Sequence, residues 1–270
     1  MWFWAITAGL AVGLALGALG GGGSILTVPA LVYLLGQPVP AATTGSLIIV
    51  GTSALVGAIS HRRAGTLRVG PGLIFGVLGT AGSFLGTHLA AGVSPHTLLV
   101  AFAGLMVLVA LLMLRRLRRR QGVAVQEAVA AEARVPSPRR GLDLGLVVRT
   151  VAAATAVGLL TGFFGVGGGF AVVPALVLAL RFSMPAAVGT SLLVISINSA
   201  TALFARYTTG AFSHVDWTVV SVFAALAAAG SLLGAHASRR LDERLLTAAF
   251  VALLLAIAGY LAVVNLPQLS

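Results

Sequence analysis

Gly20-Gly21-Gly22-Gly23-Ser24 interrupts an otherwise continuous apolar stretch, and Gly165-Val166-Gly167-Gly168-Gly169 does the same in the second half of the chain. Within a helix, glycine is the least favourable residue after proline, about 1 kcal/mol worse than alanine. Pro29 and Pro174 follow each cluster closely. Glycine runs and prolines together predict that the helix opens at both places. The two elements are copies of each other. Shifted by 145, residues 13–32 fall on 158–177 with 11 of 20 positions identical. Pro40-Ala41-Ala42 matches Pro185-Ala186-Ala187, and Ser46-Leu47 matches Ser191-Leu192. At a shift of 148, residues 81–88 match 229–236, His88 falling on His236. Low complexity does not align prolines and a histidine in one order, so the chain is read as an internal repeat.

Composition places the repeat in a bilayer. Of 270 residues 59% are hydrophobic and 9% are charged, against about 25% charged in soluble domains. Mean hydropathy is +1.06. Hydrophobic runs occupy roughly 4–20, 24–36, 43–60, 70–90, 96–114, 145–164, 170–180, 186–205, 217–236 and 245–264. A span needs about 20 apolar residues, so 24–36 and 170–180 are short. The expectation is an all-α integral membrane protein of two homologous repeats, each of about four long spans plus one short broken segment. Residues 1–114 form the N-terminal repeat, 115–144 a basic linker and 145–270 the C-terminal repeat. The N-terminus lacks the charged region of a signal peptide, so the first stretch is read as a retained span. Trp2 and Trp4 suit an interfacial anchor.

Every basic residue is arginine, and 9 of the 17 lie between Arg115 and Arg149. Such a cluster between spans marks the cytoplasmic side. Nucleic-acid binding is excluded by the lack of any soluble domain to present a basic face. Counting back from the linker puts loop 61–69, with Arg62, Arg63 and Arg68, inside and the uncharged loop 36–42 outside. Counting forward, loop 237–244, with Arg239, Arg240 and Arg244, stays inside only if 145–164 and 170–180 each cross. Five segments per half then give the halves opposite orientations, with both termini outside. Inverted repeats with paired broken helices place a substrate site at the midplane. Their freed backbone N–H groups favour anions.

Candidate contacts follow from that reading. Gly22, Gly23, Ser24, Gly167, Gly168 and Gly169 would line the break. Thr44, Ser46, Thr190 and Ser191 stand near the starts of equivalent helices, where hydroxyls also serve as caps. Asn198 lies deeper, where an amide bonds either substrate or a neighbouring helix. Arg181, Arg206 and His61 would attract anions at the mouths. His88 and His236 read as interfacial histidines, and Gly9, Gly13, Gly17, Gly158 and Gly162 as close-packing positions. The absence of cysteine removes disulfides and thiolate metal sites. No metal or cofactor is expected, and the scattered carboxylates do not form an enzyme site. No Asp, Glu, Lys or Arg lies in mid-span, so no coupling group for uptake is evident. Outward passage of an anion needs none, since the membrane potential supplies about 2.3 kcal/mol per charge per 100 mV.

The element Gly-x-x-Gly-x-Gly-Gly-Gly-x-x-x-x-Pro followed by Pro-x-x-Ala-x-Gly-Thr-Ser, occurring twice, resembles the sulfite exporter TauE/SafE family of membrane permeases. The second half carries it at residues 162–174 and as Pro185-Ala186-Ala187-Val188-Gly189-Thr190-Ser191. The first half departs, with Thr43-Thr44-Gly45-Ser46 in place of the Gly-Thr-Ser order. The resemblance implies a transporter of sulfur oxyanions or organosulfonates such as sulfite and sulfoacetate, exporting across a bacterial inner membrane. Its partners would be a small anionic substrate and the lipid bilayer, with a homodimer left open. The competing readings are a membrane-embedded enzyme and a permease taking up another small carboxylate or sulfonate.

Overall fold

Inside a bilayer the backbone has no water to bond, so apolar stretches of this length satisfy their N–H and C=O groups as helices. The computed structural model describes residues 2–90, 95–130, 144–164, 169–208 and 215–265, and no strand occurs among them. The helices are α1 (Trp2–Leu19), α2 (Gly22–Pro29), α3 (Val39–Arg63), α4 (Val69–Ala90), α5 (Pro95–Ala130), α6 (Leu144–Phe164), α7 (Gly169–Leu178), α8 (Met184–Thr208), α9 (Trp217–Arg240) and α10 (Glu243–Asn265). A π-helical turn, Ala30–Leu34, extends α2. Among the described residues α3, α4, α5, α8, α9 and α10 are long and apolar enough to cross a membrane. The protein is an all-α, multi-pass membrane protein. Helix α5 continues through the arginines expected to open the linker and reaches Ala130. Residues 131–143, the rest of that linker, lie outside the described residues.

Glycine decides which helices lie closest. The most extensive contacts are α4 with α6 and α1 with α9. A Cβ added to Gly13 or Gly17 would strike the backbone of Ala227 or Ser231, and one on Gly230 or Gly234 the backbone of α1. A Cβ on Gly82 or Gly86 of α4 would likewise strike the α6 backbone, and one on Gly158 the backbone of Gly79. Without side chains between them the backbones approach closely, which is how apolar helices gain contact in lipid. The upstream glycines of both breaks are thus packing positions. In each pair one helix comes from the first half of the chain and one from the second.

Helices α3 and α8 form the centre and run antiparallel. His61, near the end of α3, lies against Gly189 near the start of α8, and Gly51 meets Ser199 midway. At the other extreme, Arg206 near the end of α8 bonds Thr43 and Thr44 near the start of α3.

The short helix α2 turns back beside α1. A Cβ on Gly23 would sit 2.6 Å from Leu16 N and from Val12 O, so α2 returns along α1. Leu31 then reaches Gly45 near the start of α3. Helix α7 ends with Val177 beside Met113 and Glu243. Residues 36 and 181, partners at the 145 shift, close the two short segments alike. Gly36 has φ +65 and Arg181 has φ +55, the left-handed region that ends helices. Gln37 N–H donates to Leu31 O at 3.0 Å, and Phe182 N–H to Leu176 O at 3.1 Å.

Two outcomes follow. Arg62→Cys and Tyr207→Cys, both at exposed positions near the ends of α3 and α8, should label from opposite faces, Arg62 from the cytoplasm. Labelling of both from one face would break the topology. Gly13→Ala should destabilise by about 1–3 kcal/mol through overpacking, read as a lower Tm in detergent. Gly104→Ala, where an added Cβ meets nothing within 4 Å, should leave Tm unchanged or raised.

Candidate functional site

The two glycine breaks meet. Gly20 takes φ +73, a conformation that costs other residues about 1–2 kcal/mol. Its N–H closes α1 by donating to Leu16 O at 2.8 Å. The chain then turns, and the tip of the α1–α2 hairpin touches the start of α7. A Cβ on Gly21 would strike the Gly169 carbonyl, and one on Gly169 would lie 3.0 Å from Gly21 Cα and 2.9 Å from Ser24 Oγ. Backbone lies against backbone with no side chain between. Gly167 and Gly168 fall outside the described residues.

Each proposed contact at the tip has a definite surrounding. Helix α2 begins without a side-chain cap. Ser24 Oγ donates to Gly21 O at 2.7 Å, which pins the turn. Gly22 faces the Leu253 side chain of α10, whereas Gly23 abuts the α1 backbone. Ser191 is fully buried; its hydroxyl donates to Val188 O at 2.8 Å and packs on Gly20.

The remaining groups divide between the two ends of the α3–α8 pair. At one end Arg206 Nη1 donates to Thr43 Oγ1 at 3.0 Å and to Thr44 Oγ1 at 2.7 Å. Ser46, next to them, donates to Thr43 O at 2.9 Å. At the other end Thr190 Oγ1 accepts the Arg68 N–H at 3.1 Å. His61 is buried there, with Nε2 3.4 Å from Gly17 O and Nδ1 2.8 Å from Thr66 Oγ1. The Thr66 hydroxyl also donates to the His61 carbonyl at 3.1 Å. Through its Gly17 contact His61 ties α3 to the first hairpin. Asn198, on the middle of α8, accepts at Oδ1 from Thr80 of α4 at 3.4 Å. Arg181 is exposed after α7.

The structure therefore does not gather all the sequence candidates into one shell. Thr44 and His61 stand 17 residues apart on α3, roughly 25 Å at ~1.5 Å per residue. Thr44, Ser46 and Arg206 share one end of the α3–α8 pair, while Thr190 and His61 share the other. Gly22, Gly23, Ser24, Gly169 and Ser191 surround the hairpin contact. Thr43, Thr66, Arg68 and Thr80 complete these clusters and were not singled out from sequence as contacts. Arg68 and Thr80 come from α4 or the turn before it, where no motif marks them.

A helical membrane protein with two broken hairpins meeting tip to tip, and a cationic or imidazole group set on hydroxyls at each end of its central pair, has the construction of a transporter. Comparison with known proteins gives the family: the chain belongs to the sulfite exporter TauE/SafE family, whose profile matches residues 5–261. A probable membrane transporter protein of Xylella fastidiosa (strain 9a5c) is 35% identical over 260 residues, covering 94% of this chain and 92% of that one. The probable membrane transporter protein YdhB of Bacillus subtilis (strain 168) is 31% identical over 184 residues, covering 68% and 70%. YunE of the same strain, also named a probable membrane transporter protein, is 28% identical over 249 residues, covering 88% and 89%. No solved structure matches. The protein is a membrane transporter.

The tip geometry separates two neighbouring glycines. Gly22→Ala needs only the Leu253 side-chain end to shift and should keep the wild-type Tm. Gly23→Ala drives a methyl into the α1 backbone and should destabilise by about 1–3 kcal/mol. Equal thermal unfolding of the two variants would show that the hairpin is not packed in this way.

Proposed function

We propose that this transporter carries small sulfur oxyanions and organosulfonates, sulfite and sulfoacetate among them, outward across a bacterial inner membrane. The observation that carries the reading is the contact of the two glycine breaks, Gly21 on Gly169. Two half-helices begin at that contact, and helix N-termini offer unbonded N–H groups and a positive dipole end to an anion. Gly22, Gly23 and Ser24 on one side and residues 167–169 on the other would supply the backbone donors, with Ser191 beside them. The antiparallel α3–α8 pair and the matched end residues Gly36 and Arg181 support an inverted repeat, in which each hairpin enters from its own face. By the loop charges, Arg206 with Thr43 and Thr44 would form the outer mouth, and His61, Thr190 and the exposed Arg181 the inner one. Asn198 would stand along the route. The residues after Ala130 would continue the basic cytoplasmic segment.

Export follows from the distribution of charge. Neither hairpin tip carries an acid or a base, so the site adds no counter-charge to hold an anion against an inside-negative potential. That potential favours outward movement by about 2.3 kcal/mol per charge per 100 mV.

Proteoliposomes holding the purified protein should pass sulfite and sulfoacetate faster than sulfate or acetate. Gly22→Trp, placed where alanine is tolerated, should cut that flux at least tenfold while the protein remains monodisperse. Wild-type flux through Gly22→Trp would remove the tip from the pathway. Arg181→Gly should relieve a left-handed residue and stabilise by about 1 kcal/mol, yet slow transport by weakening capture at the inner mouth. A variant that is no more stable, or transports as fast as wild type, would contradict that role.

A further inference from the structure

Two fully buried hydroxyls, Ser53 on α3 and Ser231 on α9, have no hydrogen-bond partner among the described residues. Other hydroxyls of the bundle bond within their own helix. Thr161, Ser191, Ser196 and Ser238 each donate to the carbonyl one turn before them, at 2.7, 2.8, 2.8 and 3.0 Å. A serine within a helix always has such a carbonyl near. Ser53 and Ser231 make no such bond, and a buried donor left unbonded is costly to the fold.

Their placement is specific. Ser231 Oγ would lie 2.6 Å from a Cβ on Gly57, so it points across the seam between α9 and α3, and glycine is what makes room for it. Ser53 stands one turn from Gly57 on the same face of α3. His61 is one turn further along that face, its ring on Gly17 O. Gly17 itself abuts the Ser231 backbone. The hydroxyl pair therefore borders the first hairpin.

The second half shows what an equipped version of this seam looks like. Ser53 corresponds to Asn198 at the 145 shift, and Ser231 to Ser83 at the 148 shift. Asn198 is bonded to Thr80, and Ser83 also has a partner. The counterpart of Thr80 is Ala228, which offers no hydroxyl. In the α4–α8 seam Asn198 meets the Thr80 hydroxyl, whereas Ser53 and Ser231 of the α3–α9 seam have no partner among the described residues.

We propose that Ser53 and Ser231 are substrate contacts: when the α3–α9 seam parts, the two O–H groups donate to oxygen atoms of the transported oxyanion. The inference rests on the transport reading and deepens it. It adds two neutral donors beside the first hairpin, and makes the α3–α9 seam the one that opens onto substrate. Helix α9 is bound backbone to backbone to α1, so the hairpin would move with it.

The test uses the full chain in proteoliposomes with sulfite as the transported probe. The double variant Ser53→Ala, Ser231→Ala removes two unbonded hydroxyls while changing little volume. Its Tm should be unchanged or raised, and its sulfite flux should fall at least tenfold. The natural chain has no cysteine, so Ser53→Cys and Ser231→Cys each give one reporter. Both positions are buried in the structure, yet both should react with an anionic methanethiosulfonate as the seam opens. Full sulfite flux through the double alanine variant would overturn the inference, as would lost flux accompanied by a lowered Tm, which marks a packing role. Cysteines inert in both reporters, beside a conducting wild type, would overturn it too. A wild type that carries neither sulfite, sulfoacetate, sulfate nor acetate would bring down the transport reading, and this inference with it.

Discussion

The structure depends on backbones that touch without side chains between them. In lipid the hydrophobic effect does not drive one apolar helix onto another, so close contact and hydrogen bonding must hold the bundle. Glycine at Gly13, Gly17, Gly230 and Gly234 supplies that contact for α1 and α9, and Gly79, Gly82, Gly86 and Gly158 supply it for α4 and α6. The same property, taken to the limit of Gly21 on Gly169, brings two chain reversals together deep in the protein. Packing glycines and break glycines differ in context. The first are spaced one turn apart along a helix face; the second are contiguous and cannot sustain a helix.

Polar groups are arranged around this frame with few charges. Arg206 lies on two threonine hydroxyls, while its counterpart His61 bonds a hairpin carbonyl and a threonine. The substitution of an arginine by a histidine, and of Thr44 by Gly189, makes the two ends chemically unlike. A carrier with two equal mouths would have no built-in preference for the face from which it takes substrate. Here one end holds a fixed cation on hydroxyls, and the other a buried imidazole held by a backbone carbonyl and a threonine.

The fold was largely legible because its signals are long and repeated. Hydrophobic runs located the helices, and the glycine clusters with Pro29 and Pro174 located the breaks. The loop arginines gave a count in which each hairpin returns to its starting face. They could not distinguish two crossings from a re-entrant hairpin, because both leave the next loop on the same side. The packing of Gly23 on Val12 and Leu16 shows α2 running back along α1. Gly36 as a helix stop is readable, but Arg181 in the same left-handed conformation is not, since propensity argues against it. The site was less legible. Thr44, Ser46, Thr190 and Ser191 share a motif, yet the antiparallel pair carries the first-half copies to one end and the second-half copies toward the other. Partners such as Arg68 and Thr80 lie on a different helix or its preceding turn, and no local pattern announces them.

The exchange of α1 and α4 partners between halves also governs how the chain is made. Gly13 packs on Ala227, 214 residues later, so the first helix enters the membrane long before its mate exists. Until α9 arrives, the glycine face of α1 lacks its partner. The native arrangement is therefore completed late, after nearly the whole chain has been inserted. A ribosome that stalls before α9 would leave in the bilayer an α4–α6 pair already made and an α1 whose glycine face is still unmatched.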